Sequence, residues 1–300
     1  MSITEIQYLI NDTQLAGAAQ SALEAQPAIT SVTASVIRPV HNGFKAFARG
    51  DGFDVSEVAI VTILQAIAHD RPVLFLPLTA LGRYQHQTLI STEQRQVADL
   101  PGRTVGVRSW SQTTGMWVRG ILMHQYDVDL HSVQWRTYEG GHLDEQADPT
   151  WVEHAEEGAS LAKDLLSGRV DYAIMGNDRP DAPNVRDVIP EAKKVAAAWA
   201  EQVGFIPVNH VFGVREAVAR ELGDAICGVY DAIAGSLRAR QADTSGPVTE
   251  PFGFAALRPA VSAAAQYAWE QELLPRRVTY DELVERTTSA LGVTATRLGA

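Results

Sequence analysis

Chemistry-bearing side chains are unevenly spread along the 300 residues. The densest short stretch is Leu81-Gly-Arg-Tyr-Gln-His-Gln-Thr88, which follows an apolar run and sets Arg83, Tyr84 and His86 within four residues. Arginine suits anion binding, and histidine suits proton transfer near neutral pH. In extended backbone Tyr84, His86 and Thr88 share one face and Arg83 lies on the other, unless a bend at Gly82 brings it back. A solvated edge strand would use the same residues.

The second stretch is Arg108-Ser-Trp-Ser-Gln-Thr-Thr-Gly115. It falls between a predicted strand and a predicted helix, where unbonded backbone N–H groups face outward and receive anions. The hydroxyls of Ser109, Ser111, Thr113 and Thr114 add donors, so the segment suits a carboxylate. Ser109-x-x-Gln112 also reads as a capping box, and the two roles are compatible. Arg119, two turns farther on, reaches either the same ligand or the surface.

Glu57 reads as the closing residue of a capping box, Asp54-Val-Ser-Glu57, or as an acid/base group where it faces a ligand. His210 alternates with Val208, Phe212 and Val214 on a predicted strand, so it is read as a hydrogen-bonded core histidine or as a catalytic one. His41-Asn42-Gly43, Asn11-Asp12 and Asn177-Asp178 sit at predicted turns.

These residues need elements to hold them. Strands are predicted over 5–10, 31–40, 73–78, 84–91, 103–107, 132–138, 170–175 and 208–214. Helices are predicted over 14–26, from Val58 to about Ile67, from Ser109 to about Tyr126, and over 159–166 and 190–202. The region after Arg215 is mainly helical. Alternating strands and helices predict mostly parallel sheets covered on both faces. The expected division is lobe 1 from residues 1–80 plus 208–300, and lobe 2 from 81–207. Ligands of such sheets bind beyond the carboxyl ends of strands. The irregular stretch Glu139–Gly158 is either a lid or a solvated insertion.

Composition narrows the function classes. Hydrophobic residues make up 46% and charged residues 20%, as in an ordinary globular protein. The net charge of −11 argues against nucleic acid or an anionic membrane as a partner. The lone Cys227 excludes an internal disulfide and a cysteine-cluster metal site. None of the eight histidines forms a His-x-His or His-Glu-x-x-His pattern, and His142-Leu-Asp144-Glu145 could offer ligands only at a spacing that arises easily by chance on a polar loop, so no metal is expected. Gly-x-Gly-x-x-Gly after the first strand, the P-loop and the Gly-x-Ser-x-Gly elbow are all absent, and no Rossmann cofactor, P-loop or hydrolase reading stands. The amino terminus lacks the basic and apolar regions of a secretory leader, which sets the expectation of a cytoplasmic protein. The apolar run Leu74-Phe-Leu-Pro-Leu78 is far short of a membrane span. Apolar residues in Ala255 to Trp269 form either a homodimer surface or a cover for lobe 1.

Taken in order, Phe53-Asp-Val-Ser-Glu57, Gly82-Arg-Tyr-Gln-His86, Gly102-Arg-Thr-Val-Gly-Val107, Met116-Trp-Val-Arg-Gly-Ile-Leu122 and Gly168-Arg-Val-Asp171 resemble the 4,5-dihydroxyphthalate decarboxylase family. Gly204-Phe-Ile-Pro-Val-Asn-His210 and Glu250-Pro-Phe-Gly253, then Tyr267 to Glu282, extend the resemblance over nearly the whole chain. It implies a two-lobed α/β fold of the type II periplasmic-binding-protein kind, with a ligand cleft between the lobes. It also implies nonoxidative loss of a carboxylate from a hydroxylated aromatic acid, with no organic cofactor. The positions that match are Glu57, Arg83, His86 and Arg119.

On that basis the expected proton donor is His86, with Glu57 or His210 assisting at a phenolic hydroxyl. Arg83 and Arg108, with the helix start at Ser109, Thr113 and Thr114, hold carboxylate, and Arg119, Asn177 and His41 complete the substrate contacts. The rival expectations on the same fold are a solute-binding protein, a small-molecule sensor, or another lyase such as a desulfinase. Cys227 lies in an apolar helical stretch, which weighs against thiol chemistry.

Overall fold

The computed structural model describes residues 4–300; residues 1–3, where the amino-terminal stretch read for a leader begins, lie outside the described residues. The chain begins with β1 (Glu5–Leu9), α1 (Thr13–Glu24), β2 (Ser31–Ala34), α2 (Phe44–Ala48), β3 (Val55–Ala59), α3 (Ile60–Ala68) and β4 (Val73–Gly82). It continues with β5 (Leu89–Ser91), β6 (Thr104–Val107), α4 (Thr113–Tyr126), β7 (Gln134–Thr137), β8 (Glu153–His154), α5 (Leu161–Leu166), β9 (Tyr172–Ile174), β10 (Arg186–Asp187) and α6 (Ala192–Val203). It ends with β11 (Val208–Arg215), α7 (Glu216–Glu221), α8 (Gly223–Ala242), α9 (Phe254–Glu270) and α10 (Tyr280–Leu291).

Two compact units result. The first holds the chain up to Arg83 with Val208–Ala265 and Leu274–Ala300, and the second holds Tyr84–Pro207 with Gln266–Leu273. The expected division differs in two places. Residues 81–83 stay with the first unit because β4 runs on to Gly82, which pairs with Val208. Gln266–Leu273 joins the second because its side chains dock on α4. There Gly120 makes the room: a Cβ at that position would lie 2.0 Å from the Tyr267 ring.

The first unit is built on a five-stranded sheet in the order β2-β1-β3-β11-β4. β1 is parallel to β2 and β3, and β11 runs antiparallel to β3 and β4. All five residues of β3 and all nine of α3 are buried, as expected for a sheet covered on both faces. Each aliphatic side chain so placed contributes about 1.5–3 kcal/mol relative to exposure. Asp12 caps α1 by accepting from the Gln14 and Leu15 amides at 3.0 and 2.9 Å, and Leu15, Ala19 and Leu23 form its buried stripe.

The second unit is built on a six-stranded sheet in the order β10-β5-β9-β6-β7-β8. β6, β7, β8 and β9 are parallel, while β5 opposes β9 and β10 opposes β5. Its interior is aromatic, with Trp110, Trp117 and Trp135 fully buried. The stretch Glu139–Gly158 is tied down rather than loose. Leu143 and Val152 are buried, β8 pairs with β7, and Trp151 donates to Glu272 Oε1 at 2.9 Å.

Local chemistry overrides the predicted elements at four places. Asp54 caps no helix: it accepts from the Gln7 amide at 2.7 Å and pairs with Arg215, so Val55–Ala59 is a strand. Ser109 caps none either, because α4 starts at Thr113 with Gln112 before it. The second strand stops at Ala34, before the Pro39 bend that leads into a 3-10 turn at Val40–Gly43. His86–Thr88 is a 3-10 turn and not a strand, so Tyr84, His86 and Thr88 do not line one face. In α9, Leu257, Ala260, Val261 and Ala264 are buried within the chain, which leaves that stripe unavailable to a second copy. Among the described residues no helix is long and apolar enough to cross a membrane.

Candidate functional site

In the first unit the chemistry gathers where β1 and β3 end and β11 begins. Glu57 is the middle residue of β3 and only 4% exposed, so its carboxylate requires internal donors. It has two. The Asn11 amide donates to Oε2 at 2.9 Å, and His210 Nδ1 lies 2.7 Å from Oε1. His210 sits beside Ala59 in the β3–β11 ladder, and the pairing of β11 with β4 shifts register on both sides of it. The His210 side chain keeps 21% of its surface exposed. Phe44 meets its ring edge-on, with centroids 5.1 Å apart. The neighbouring turn is held close by Gly43, where a Cβ would lie 2.4 Å from Leu9 Cδ2. His41 belongs to that turn and is half-buried.

In the second unit the chemistry gathers at the start of α4. Gln112, the residue before this helix, makes no side-chain capping bond to it. Thr113, 6% exposed, has an Oγ1 with no hydrogen-bond partner, and Gln112 Oε1 is likewise buried and unpartnered among the described residues. Ser109 Oγ and Ser111 Oγ lie 3.2 Å apart, and Thr114 is buried. Arg108, at the end of β6, faces Glu139 at 3.6 Å. Gly141 passes close by: a Cβ there would be 3.0 Å from Ser111 Oγ.

Two predicted residues turn inward instead. His86 is 1% exposed, with Nε2 at 2.8 Å from Gln125 Oε1 and its ring edge against Trp199. Burial holds its pKa below the ordinary histidine range, against the opposing Gln125 bond, so it is a poor proton donor at neutral pH. Arg119 is fully buried, with its guanidinium carbon 3.6 Å from the Trp110 ring centroid. Its Nη2 donates to Trp110 O at 2.5 Å and its Nε to Gln271 Oε1 at 2.8 Å. Gln271 also donates to Met116 O and accepts from Trp110 Nε1 through its own carbonyl, so Arg119 fastens Gln266–Leu273 to α4. Burial draws the guanidinium down to about 9, opposed by the nearby Asp148 carboxylate.

Of the remaining candidates, Arg83 is half-buried after the end of β4 and Asn177 is exposed in the turn after β9. Sequence reasoning missed Phe44 and the Gln112 acceptor. Gln112 was visible only as half of a capping box that does not form. Cys227 is buried in α8, and burial raises its thiol pKa. Among the described residues no group of three or more His, Cys, Asp or Glu side chains is placed to hold a metal ion.

Two α/β units joined by a chain that leaves the first, builds the second and returns define a fold of the type II periplasmic-binding-protein kind. Solved structures with this fold include the periplasmic aliphatic sulphonate binding protein SsuA from Escherichia coli, 14% identical with a TM-score of 0.53 over 97% of this chain and 99% of that one. The desulfurization enzyme DSZB is as similar, at 14% identity and a TM-score of 0.53 over the same shares. By sequence the chain is similar to the 4,5-dihydroxyphthalate decarboxylase of Comamonas testosteroni, 26% identical over 281 residues covering 85% of this chain and 82% of that protein. It is also similar to the enzyme of the same name from Pseudomonas putida, 25% identical over 179 residues covering 54% and 68%. The family resemblance read from the motifs is therefore found by whole-chain comparison too. No family model matches the chain.

Proposed function

We propose that this chain is a decarboxylase of a hydroxylated aromatic carboxylic acid that works without an organic cofactor or a metal. Its similarity to two relatives named 4,5-dihydroxyphthalate decarboxylase supports the reaction class. The observation that carries the substrate assignment is the start of α4. The unpartnered Thr113 hydroxyl wants an acceptor, and Gln112 Oε1 wants a donor. A carboxylate answers the first and a phenolic hydroxyl the second.

In the proposed reaction a hydroxyl ortho or para to the leaving group supplies electron density, and the ring carbon bearing the carboxylate takes a proton. The bond to the carboxylate then breaks, carbon dioxide leaves, and the bonding pair restores aromaticity. His210 is assigned the proton transfer, in place of the buried His86. A retained carboxylate is assigned to Arg108, Ser109, Thr113 and Thr114 at the start of α4. Arg83, His41 and Asn177 stay as candidate substrate contacts, and Arg119 is given the internal role described above. A cytoplasmic location belongs to the same proposal and is checked by cell fractionation.

The test is a panel of hydroxylated phthalates and benzoates, followed by carbon dioxide release and by mass spectrometry of the product. Release from at least one acid, unchanged by a metal chelator, is expected. The second reading, a binding protein or sensor, is favoured by the shared fold with a sulphonate-binding protein. Tight binding of a panel acid with no release for any would establish it instead.

A further inference from the structure

We infer that Glu57 is a positioning residue, which sets the proton of His210 on Nδ1 and leaves Nε2 as the working nitrogen. This rests on the assignment of proton transfer to His210. Both Glu57 oxygens are engaged from within the first unit. A backbone amide can only donate, so Oε2 is an acceptor toward Asn11, at 2.9 Å. Oε1 faces His210 Nδ1 at 2.7 Å, within the range of a charge-assisted bond. A carboxylate accepting at both oxygens satisfies this arrangement completely. A neutral acid would have to carry its proton on Oε1, and the histidine would then carry its own on Nε2.

The surroundings restrain the pair. Glu57 is 4% exposed in the centre of β3, so its carboxylate has little freedom to swing away. Phe44 stands perpendicular to the imidazole at 5.1 Å and limits rotation of the ring. In the regular β3–β11 ladder His210 pairs with Ala59 and Phe212 with Glu57, so the His210 and Glu57 side chains are diagonal neighbours on one face of the sheet. With Nδ1–H held by the carboxylate, neutral Nε2 takes the phenolic hydroxyl proton, the imidazolium gives it to the ring carbon that bears the carboxylate, and the phenolate left when carbon dioxide departs takes a proton from water. Glu57 itself exchanges none.

Glutamine at this position has one end that donates, and both positions it must fill already face donors. Long-range nitrogen–proton correlation spectra of the full chain, with His210 assigned by the His210→Asn variant, read the tautomer directly. The expected spectrum places the neutral-form proton of His210 on Nδ1, and Glu57→Gln shifts it toward Nε2. In the same variant kcat on the acid that the panel identifies falls about tenfold or more while KM changes little. A wild-type protein with its proton on Nε2 overturns the inference, as does Glu57→Gln with an unaltered tautomer and unaltered kcat. Nδ1–H in a protein that decarboxylates no panel acid would sustain the positioning role and sink the functional reading alone.

Discussion

His210 and His86 make an instructive pair, one in each unit. Both are hydrogen-bonded through one ring nitrogen to a glutamyl-type oxygen, at 2.7 and 2.8 Å. The partners differ in kind: a carboxylate for His210 and a neutral amide for His86. Exposure differs too, since His210 keeps a fifth of its side chain in reach of solvent while His86 has almost none. Burial disfavours the charged form of His86, whose pKa lies below the ordinary value, and its neutral amide partner carries no charge to offset that. Histidine content therefore says little about proton transfer until the partner and the exposure are known.

The comparison breaks first at turnover. His210→Asn is expected to lower kcat about a hundredfold or more while leaving the thermal midpoint nearly unchanged, since a positioned proton-transfer group is worth roughly that factor. Unaltered turnover with an intact fold would remove His210 from the chemistry and reopen the case for His86.

Arg119 sharpens the same contrast between solvent-facing and internal groups. Arg119→Met leaves the Trp110 carbonyl and Gln271 Oε1 without their buried donor. A loss of about 3 kcal/mol in denaturant unfolding is expected. A stable variant with weakened substrate binding would instead return Arg119 to the ligand.

Thr113→Val removes one hydroxyl at the start of α4 and keeps the shape. The expected result is about tenfold weaker binding of the panel acid, from a lost hydrogen bond to a charged group, with stability held. Binding that does not change would move the carboxylate elsewhere.

The smallest effect concerns acid. His86 has a pKa below its ordinary value because burial disfavours the charged form. The unfolded chain then binds the extra proton first, so stability falls as pH drops from the ordinary histidine range toward the folded value. His86→Gln removes that contribution, and a plot of unfolding free energy between about pH 7 and pH 5 should be shallower than for the wild type. An equal slope would place the acid sensitivity in other groups.

Much of the architecture was legible from local pattern. The alternation of strands and helices, the crossing out and back, and helices such as Thr13–Glu24 and Ala192–Val203 follow from apolar periodicity and caps that act within a few residues. Where a cap had two uses, pattern misled. Asp54 has the spacing of a capping residue, but a long-range partner, Arg215, claims it and β3 forms where a helix was expected. His86 belongs to a segment that alternates like a strand and folds as a 3-10 turn beneath Trp199.

By itself, then, the sequence determined the α/β class, the two-unit division in outline, the family resemblance, and the short roll of side chains able to do chemistry. Those depend on composition, periodicity and motif order, all of which are local or cumulative along the chain. Only tertiary structure decided which of those side chains keep their chemistry. Glu57 meets His210 across 153 positions and Arg119 meets Gln271 across 152, and each meeting sets charge, exposure and orientation at once. No spacing rule reaches that far, because such contacts come from how sheets and helices stack and not from neighbours in the chain.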